Sequence, residues 1–364
     1  MSTSRRIQLL DLLRGFVIVW MALDHTRDFF QPSGLNPTDL TTTTPLFFAT
    51  RWITHLCAPT FVLLAGVGMG MQVQRKGMSR DLMRFFITRG LWLMLLEVTW
   101  VSFSWYFSFE QTHLGVLWGI GGAMVLVAPL CLLPLRTVGA IGVVGTVLLA
   151  MWTLPAGGAE RFLFGPMSLE LWGHKVFSTY VIIPWAAVLA MGVGLVELFT
   201  ADTSARRVGW TGAGLLVAFF ALRMLNWGDP LDWSTQNVDH TIAWLSTFHV
   251  SKYPPSLAYL CATLGTAFVG AAMLPRLPER ARNALAVFGK VPLFFYLLHL
   301  PVLHLAGMVH AWARFDATRI PSSEPLSLPL VYGVWLGVSA LLWWPCARYA
   351  RIKHTQRRPW MRYL

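Results

Sequence analysis

The chain has 364 residues, of which 55% are hydrophobic and 13% charged, and it carries a formal net charge of +12. With a positive mean hydropathy, this excludes an ordinary soluble domain of the same length. Lys and Arg fall in short clusters between apolar runs rather than along one face, so the charge reports membrane topology and no nucleic-acid partner is expected.

A span needs roughly 20 mostly apolar residues. Ten such segments follow one another, at about 7–29, 47–72, 86–108, 113–134, 137–154, 176–199, 208–226, 255–274, 286–309 and 328–347. They fill the chain and predict an all-α, polytopic integral membrane protein, a single transmembrane domain over 1–364. The first segment opens with Arg5 and Arg6 like a signal peptide, but it contains Asp11 and Arg14 and reaches His25 without a small-residue cleavage site, so it reads as a retained span. Every second connection is basic, whereas 30–46 and 227–254 are almost free of Lys and Arg. Both termini are therefore expected in the cytoplasm, with the long acid- and Trp-bearing loops outside the inner membrane of a bacterium. The four cysteines, Cys57, Cys131, Cys261 and Cys346, show neither paired C-x-x-C spacing nor His neighbours at ligand intervals, so no disulfide framework and no metal site is expected.

Polar residues inside the apolar runs carry the functional signal. In the first segment Arg14 and His25 are eleven positions apart, which on a helix is three turns plus about 20°, so they share a face about 16 Å apart along the axis. Asp11 and Asp28 extend that stripe, and Asp24 adjoins it. A plainer reading has Arg14 snorkelling to the headgroups beside Asp11. In the second segment Pro59 cannot donate to the carbonyl of His55, so a kink is expected there, with Arg51 one turn outward. The run "AGVGMG" (65–70) lacks the Lys-Ser/Thr continuation of a phosphate loop and ends a helix, so it reads as a close helix contact. Between "APTFVLLAGVG" (58–68) and "IPWAAVLAMGVG" (183–194) there is a faint internal echo. Glu97 and Arg223 lie at membrane depth with opposite signs and are expected to form structural ion pairs, with each other or with other partners. In the ninth segment His299 and His304 are about 140° apart around the helix, and His299, one turn from Tyr296, is the better placed to line a cavity.

"LDLLRGFVIVWMALDH" resembles the first-helix signature of the acyltransferase-3 group, Arg followed after ten residues by His. Together with "THLCAPTFVLLAGVG" and "FGKVPLFFYLLHLPVLH" it more closely resembles bacterial membrane acyltransferases related to heparan-alpha-glucosaminide N-acetyltransferase. The resemblance implies transfer of an acetyl group from cytoplasmic acetyl-CoA to a hydroxyl or amine of an extracytoplasmic sugar. The family's lysosomal member has its active histidine in the loop after the first helix, whereas residues 31–46 here contain none. The base role therefore falls to His25 or His55. A neutral imidazole can take a proton from the attacking acceptor and return it to the leaving thiolate, with Asp28 or Asp24 fixing its tautomer. Arg14 beside Asp11, Lys290, Arg75 and Lys76 are the candidates for the phosphates of coenzyme A, and Arg51, Tyr296 and His299 those for the acceptor. The expected partners are the lipid bilayer, acetyl-CoA and the sugar, with homo-oligomer formation left open. A multi-pass transporter or flippase is the main rival, since intramembrane Arg, Glu and His serve that function as well.

Overall fold

The computed structural model describes residues 3–151, 161–201, 203–231, 243–356 and 358–364, so most of the acid-bearing stretch 232–242 and the end of the fifth apolar segment lie outside the described residues. Each of the ten apolar segments holds a helix, with boundaries set by local chemistry. The first is α1 (Thr3–Phe30). The second is broken in two, α2 (Pro45–Thr54) and α3 (Cys57–Lys76). Pro45 opens α2 at the position where its missing N–H is not needed, and the Thr44 hydroxyl accepts from the Phe47 N–H. The break falls at His55–Leu56, where Pro59 withholds its donor, and α3 stops at Gly77 (φ +70°), whose N–H reaches the Val73 carbonyl. Next come α4 (Arg80–Leu96), capped by Ser79, a π-helical turn over Glu97–Val101, and α5 (Ser102–Tyr106).

Strand β1 (Gln111–Leu114) leads into α6 (Val116–Leu130) and α7 (Leu135–Met151). After the short α8 (Arg161–Phe164) come β2 (Met167–Leu171) and β3 (His174–Ser178). The remaining helices are α9 (Ile182–Gly194), α10 (Val196–Thr200), α11 (Ser204–Met224), α12 (Leu257–Met273), α13 (Glu279–Lys290), α14 (Pro292–Phe315) and α15 (Leu328–Gln356). The ninth apolar segment is thus two helices rather than one, because Pro292 starts a new helix after Val291.

The protein is helical and polytopic. Five stretches, Pro45–Lys76, Arg80–Tyr106, Leu257–Arg276, Pro292–Phe315 and Leu328–Gln356, are long and apolar enough to cross a membrane, and α6, α7 and α9 are shorter apolar helices. One departure from an all-helical chain is a three-stranded sheet in the order β1-β3-β2, with β1 parallel and β2 antiparallel to β3. Trp172 and Gly173 both take positive φ between β2 and β3, the twist that lets a two-residue turn close a hairpin. The sheet occupies 113–114 and 176–178, which the apolar pattern had merged into the flanking spans.

Two compact units divide the chain. Unit 1 comprises Met1–Leu10, Ala58–Asp232 and Val250–Pro275, and unit 2 comprises Asp11–Cys57, Trp233–His249 and Arg276–Leu364. Each has a helix crossing built on reciprocal glycines. In unit 1 a Cβ on Gly66 would fall on the Leu189 carbonyl of α9, and one on Gly192 would fall on the Leu63 carbonyl of α3. These are corresponding positions of the two echoing segments, so the echo records a close, locally symmetric crossing. In unit 2 a Cβ on Gly15 would meet the Leu285 carbonyl of α13, and one on Gly289 the Asp11 carbonyl of α1.

Candidate active site

Within unit 2, α1 and α14 bring His25 and His299 together, 274 positions apart in sequence, with Nδ1 of His25 2.7 Å from Nε2 of His299. His299 is fully buried, and its Nδ1 lies 3.1 Å from the Phe295 carbonyl one turn back. A carbonyl only accepts, so that nitrogen carries the proton of a neutral ring and Nε2 offers a lone pair. His25 must then donate through its own Nδ1, which leaves Nε2 of His25 as the unprotonated nitrogen. The contact thus selects one tautomer of His25. The two rings lie nearly parallel, their centroids 4.9 Å apart, and Tyr296 stands edge-on to His25 at 6.2 Å. His304, one turn further along α14, also packs on α1, stacking on Phe29 at 4.8 Å.

Asp24 and Asp28 belong to a different group in the same unit. The Asp24 carboxylate receives Arg51 at 2.6 Å, Arg27 at 2.6 Å and the Thr54 hydroxyl at 2.8 Å. Arg27 also donates to Asp28 at 2.8 Å. Two cations and two anions balance here, and Arg27 is 1% exposed, which a buried charge tolerates only when paired. These carboxylates bond to arginines and a threonine, and at Nδ1 of His25 the structure places His299. Arg51 and Thr54 come from the last turn of α2, and His55, buried and next in the chain, caps that helix with its N–H on the Trp52 carbonyl at 3.0 Å.

The other end of α1 in unit 2 holds Arg14 on Asp11 at 3.5 Å. The close crossing of α1 and α13 brings Lys290 to this point, and the charges of both Lys290 and Lys353 act on Asp11. Arg75 and Lys76 are exposed at the end of α3 in unit 1. Sequence reasoning missed Arg27, Thr54 and Lys353. Arg27 was legible as the i+3 partner of Asp24 on one helix face, whereas nothing in the tail marks Lys353 out from its basic neighbours.

In unit 1 the expected Glu97–Arg223 pair does not form. Glu97 accepts the Leu117 N–H at 2.7 Å and also the N–H groups of Trp118 and Gly115, so it caps the N-terminus of α6, where a carboxylate meets orphan donors and the positive end of the helix dipole. Arg223 donates to the Leu231 carbonyl at 2.9 Å. Each charge thus has a backbone partner, and the two do not bond to each other.

The family described as heparan-alpha-glucosaminide N-acetyltransferase, catalytic, matches residues 6–229, more than half of the chain. The chain belongs to this family. The N-acetyltransferase match includes Asp11, Arg14, Asp24, His25, Asp28, Arg51, His55, Arg75 and Lys76, and ends before Lys290, Tyr296 and His299. No curated protein matches the chain. Membership supports an acyltransferase-type membrane enzyme. Among the described residues, no group of three or more His, Cys, Asp or Glu is placed to hold a metal ion.

Proposed function

We propose that this protein moves an acetyl group from acetyl-CoA, bound on the cytoplasmic side, to a hydroxyl or amine of a glycan on the other side of the membrane, the two units acting as one transmembrane acyltransferase domain. The observation that carries the reading is the hydrogen bond from His25 to His299, because it leaves a lone pair on Nε2 of a half-buried histidine without spending a charge. As the acceptor oxygen or nitrogen attacks the acetyl carbonyl carbon, Nε2 of His25 takes its proton. The C–S bond breaks, and the imidazolium returns that proton to the coenzyme A thiolate. His299 holds the ring and, through the Phe295 carbonyl, spreads the charge that forms on it. Tyr296 lies on the acceptor side of the pair. The Asp24–Arg27–Arg51–Asp28 group fixes α2 on α1, and so places His55 as a supporting base or acceptor contact.

For the donor, Arg14 and Lys290 supply charge to the phosphates of coenzyme A. Arg75 and Lys76 are assigned to the same face of the membrane by the positive-inside pattern. Ten spans with both termini cytoplasmic fit this arrangement. Direct transfer in a ternary complex is favoured, since one base at the dyad suffices and the second ring serves to orient the first. The deciding experiment supplies purified protein with radiolabelled acetyl-CoA and an envelope glycan extract. Release of free coenzyme A with label on the glycan supports the reading. Label on the protein in the absence of acceptor would replace direct transfer with an acetyl-histidine route. No release, together with exchange of a labelled solute across liposomes, would overturn the enzyme in favour of a transporter.

A further inference from the structure

In unit 1, the ends of α5, α9 and α12 and the sheet surround a second polar cluster that the acyl-transfer chemistry does not use. They lie at the helix ends opposite the Arg-bearing connections 73–85, 200–207 and 275–285. Lys252 is 8% exposed. Its ammonium stands over the rings of Tyr253 at 5.0 Å and Tyr180 at 5.6 Å. Among the described residues its ammonium has neither a hydrogen bond nor an ion pair, so a lysine that is more than nine-tenths buried as a whole residue keeps that ammonium without an acceptor. Aromatic faces offset only part of the desolvation of such a group.

Among the described residues, the carboxylate that bonds to the backbone beside Lys252 is committed elsewhere. Asp229 accepts from the Ser251 N–H at 3.0 Å, the Leu231 N–H at 2.8 Å and the Ser256 hydroxyl. Its effect is to pin the loop on both sides of Lys252 and hold the ammonium in place. Among the described residues, His113 also faces this cluster. Its Nε2 is 2.8 Å from the Thr179 hydroxyl, and Trp105 stands edge-on to its ring at 6.4 Å. Burial first, and then the charge of Lys252, pushes its pKa down to about 4. At neutral pH the cluster therefore holds one cation, a neutral imidazole, a hydroxyl and aromatic walls.

We propose that Lys252, with Tyr180, Tyr253 and the His113–Thr179 pair, forms a subsite for the negatively charged oxygen group, carboxylate or phosphate, of a saccharide. The ammonium supplies the charge that such an oxyanion completes, the hydroxyl and imidazole supply neutral hydrogen-bonding partners for sugar hydroxyls, and the tyrosines exclude water from one wall. The proposal does not require the acyl-transfer reading, because binding alone tests it.

The test is equilibrium binding of glucuronate, glucose 6-phosphate, glucose and inorganic phosphate to the full chain in lipid nanodiscs, for wild type and for Lys252→Met and Lys252→Arg. Wild type should bind at least one of the two anionic sugars tenfold or more tightly than glucose and than inorganic phosphate. Lys252→Met should abolish that preference, and Lys252→Arg should keep part of it. Because Lys252→Met removes an unpaired buried charge, its ligand-free Tm should equal or exceed that of wild type. Three results would each overturn the proposal: equal binding of charged and neutral sugars, an unchanged preference in a folded Lys252→Met protein, or inorganic phosphate binding as tightly as glucose 6-phosphate. A lower ligand-free Tm for Lys252→Met would also overturn it, by showing that the ammonium is there for the fold.

Discussion

The two units bury charge in different ways. In unit 1, Glu97 and Arg223 turn inward to backbone, one closing the N-terminus of α6 and the other holding the Leu231 carbonyl. In unit 2, Asp24 meets Arg27 and Arg51, and His25 meets His299. A side chain that satisfies a helix end has a fixed structural duty. A side chain held by another side chain can be oriented and still keep an unprotonated nitrogen, as His25 does in the tautomer that His299 selects. Under the proposed function, the contrast puts chemistry in unit 2 and scaffolding at the membrane-depth charges of unit 1.

The sharpest way to break this contrast is His25→Ala. A general base contributes about 10²- to 10⁴-fold in rate, so acetyl transfer should fall by that much while acetyl-CoA still binds, the ring being about 16 Å from Arg14 along the helix. Near wild-type transfer by His25→Ala, with a dead His55→Ala, would move the base to the end of α2. Next comes His299→Ala, expected to cost roughly 10- to 100-fold, the range for a residue that orients another. A merely structural His299 would lower the amount of folded protein and leave the pH profile alone. An orienting one shifts the acidic limb of kcat against pH, because the tautomer and basicity of His25 both change. The double variant should be little worse than His25→Ala, since the two act as a unit.

A smaller effect, about tenfold in acetyl-CoA affinity, is expected for Arg14→Ala, with partial rescue by Arg14→Lys because a fork becomes a point charge. Unchanged affinity in a folded protein would return Arg14 to a headgroup role. For unit 1 the expected effect is on stability. Glu97→Gln, which weakens the cap of α6, should lower stability by about 1 kcal/mol and leave the kcat of the surviving protein within twofold. A tenfold loss of kcat there would erase the distinction between the units. The smallest effect concerns His113. Its native pKa lies below the unfolded value, so the unfolded chain binds more protons between pH 4 and 6.5. Its stability contribution is whole above about pH 6.5 and is lost as pH falls toward 4. In thermal unfolding across that window, His113→Gln should flatten the slope.

Much of the helical plan was legible because period and length speak for themselves in a chain this apolar, and Pro59 announced the break at His55. Pro292 did not, since a proline within a long apolar run reads equally as a tolerated kink. The sheet escaped notice because strands of four or five residues adjoin apolar helices and add no periodicity of their own. At the candidate site, the stripe from Asp11 to Asp28 was visible on one helix. The partner of His25 was not, because pairing across 274 positions leaves no local trace. Arg27, an ion-pair partner of both Asp24 and Asp28, was not singled out, although it lies on the same helix.

The reciprocal glycine crossings carry a genetic consequence. When a side chain is made too large in an ordinary core, a second substitution that trims its neighbour can restore the fit. At Gly66 against Leu189, and at Gly192 against Leu63, the obstructing atoms are carbonyl groups of the main chain, and no codon change can shorten a carbonyl. Revertants of Gly66→Leu or Gly192→Leu should therefore arise at the same codon, restoring Gly, and a suppressor screen should return none at the facing positions of the partner helix.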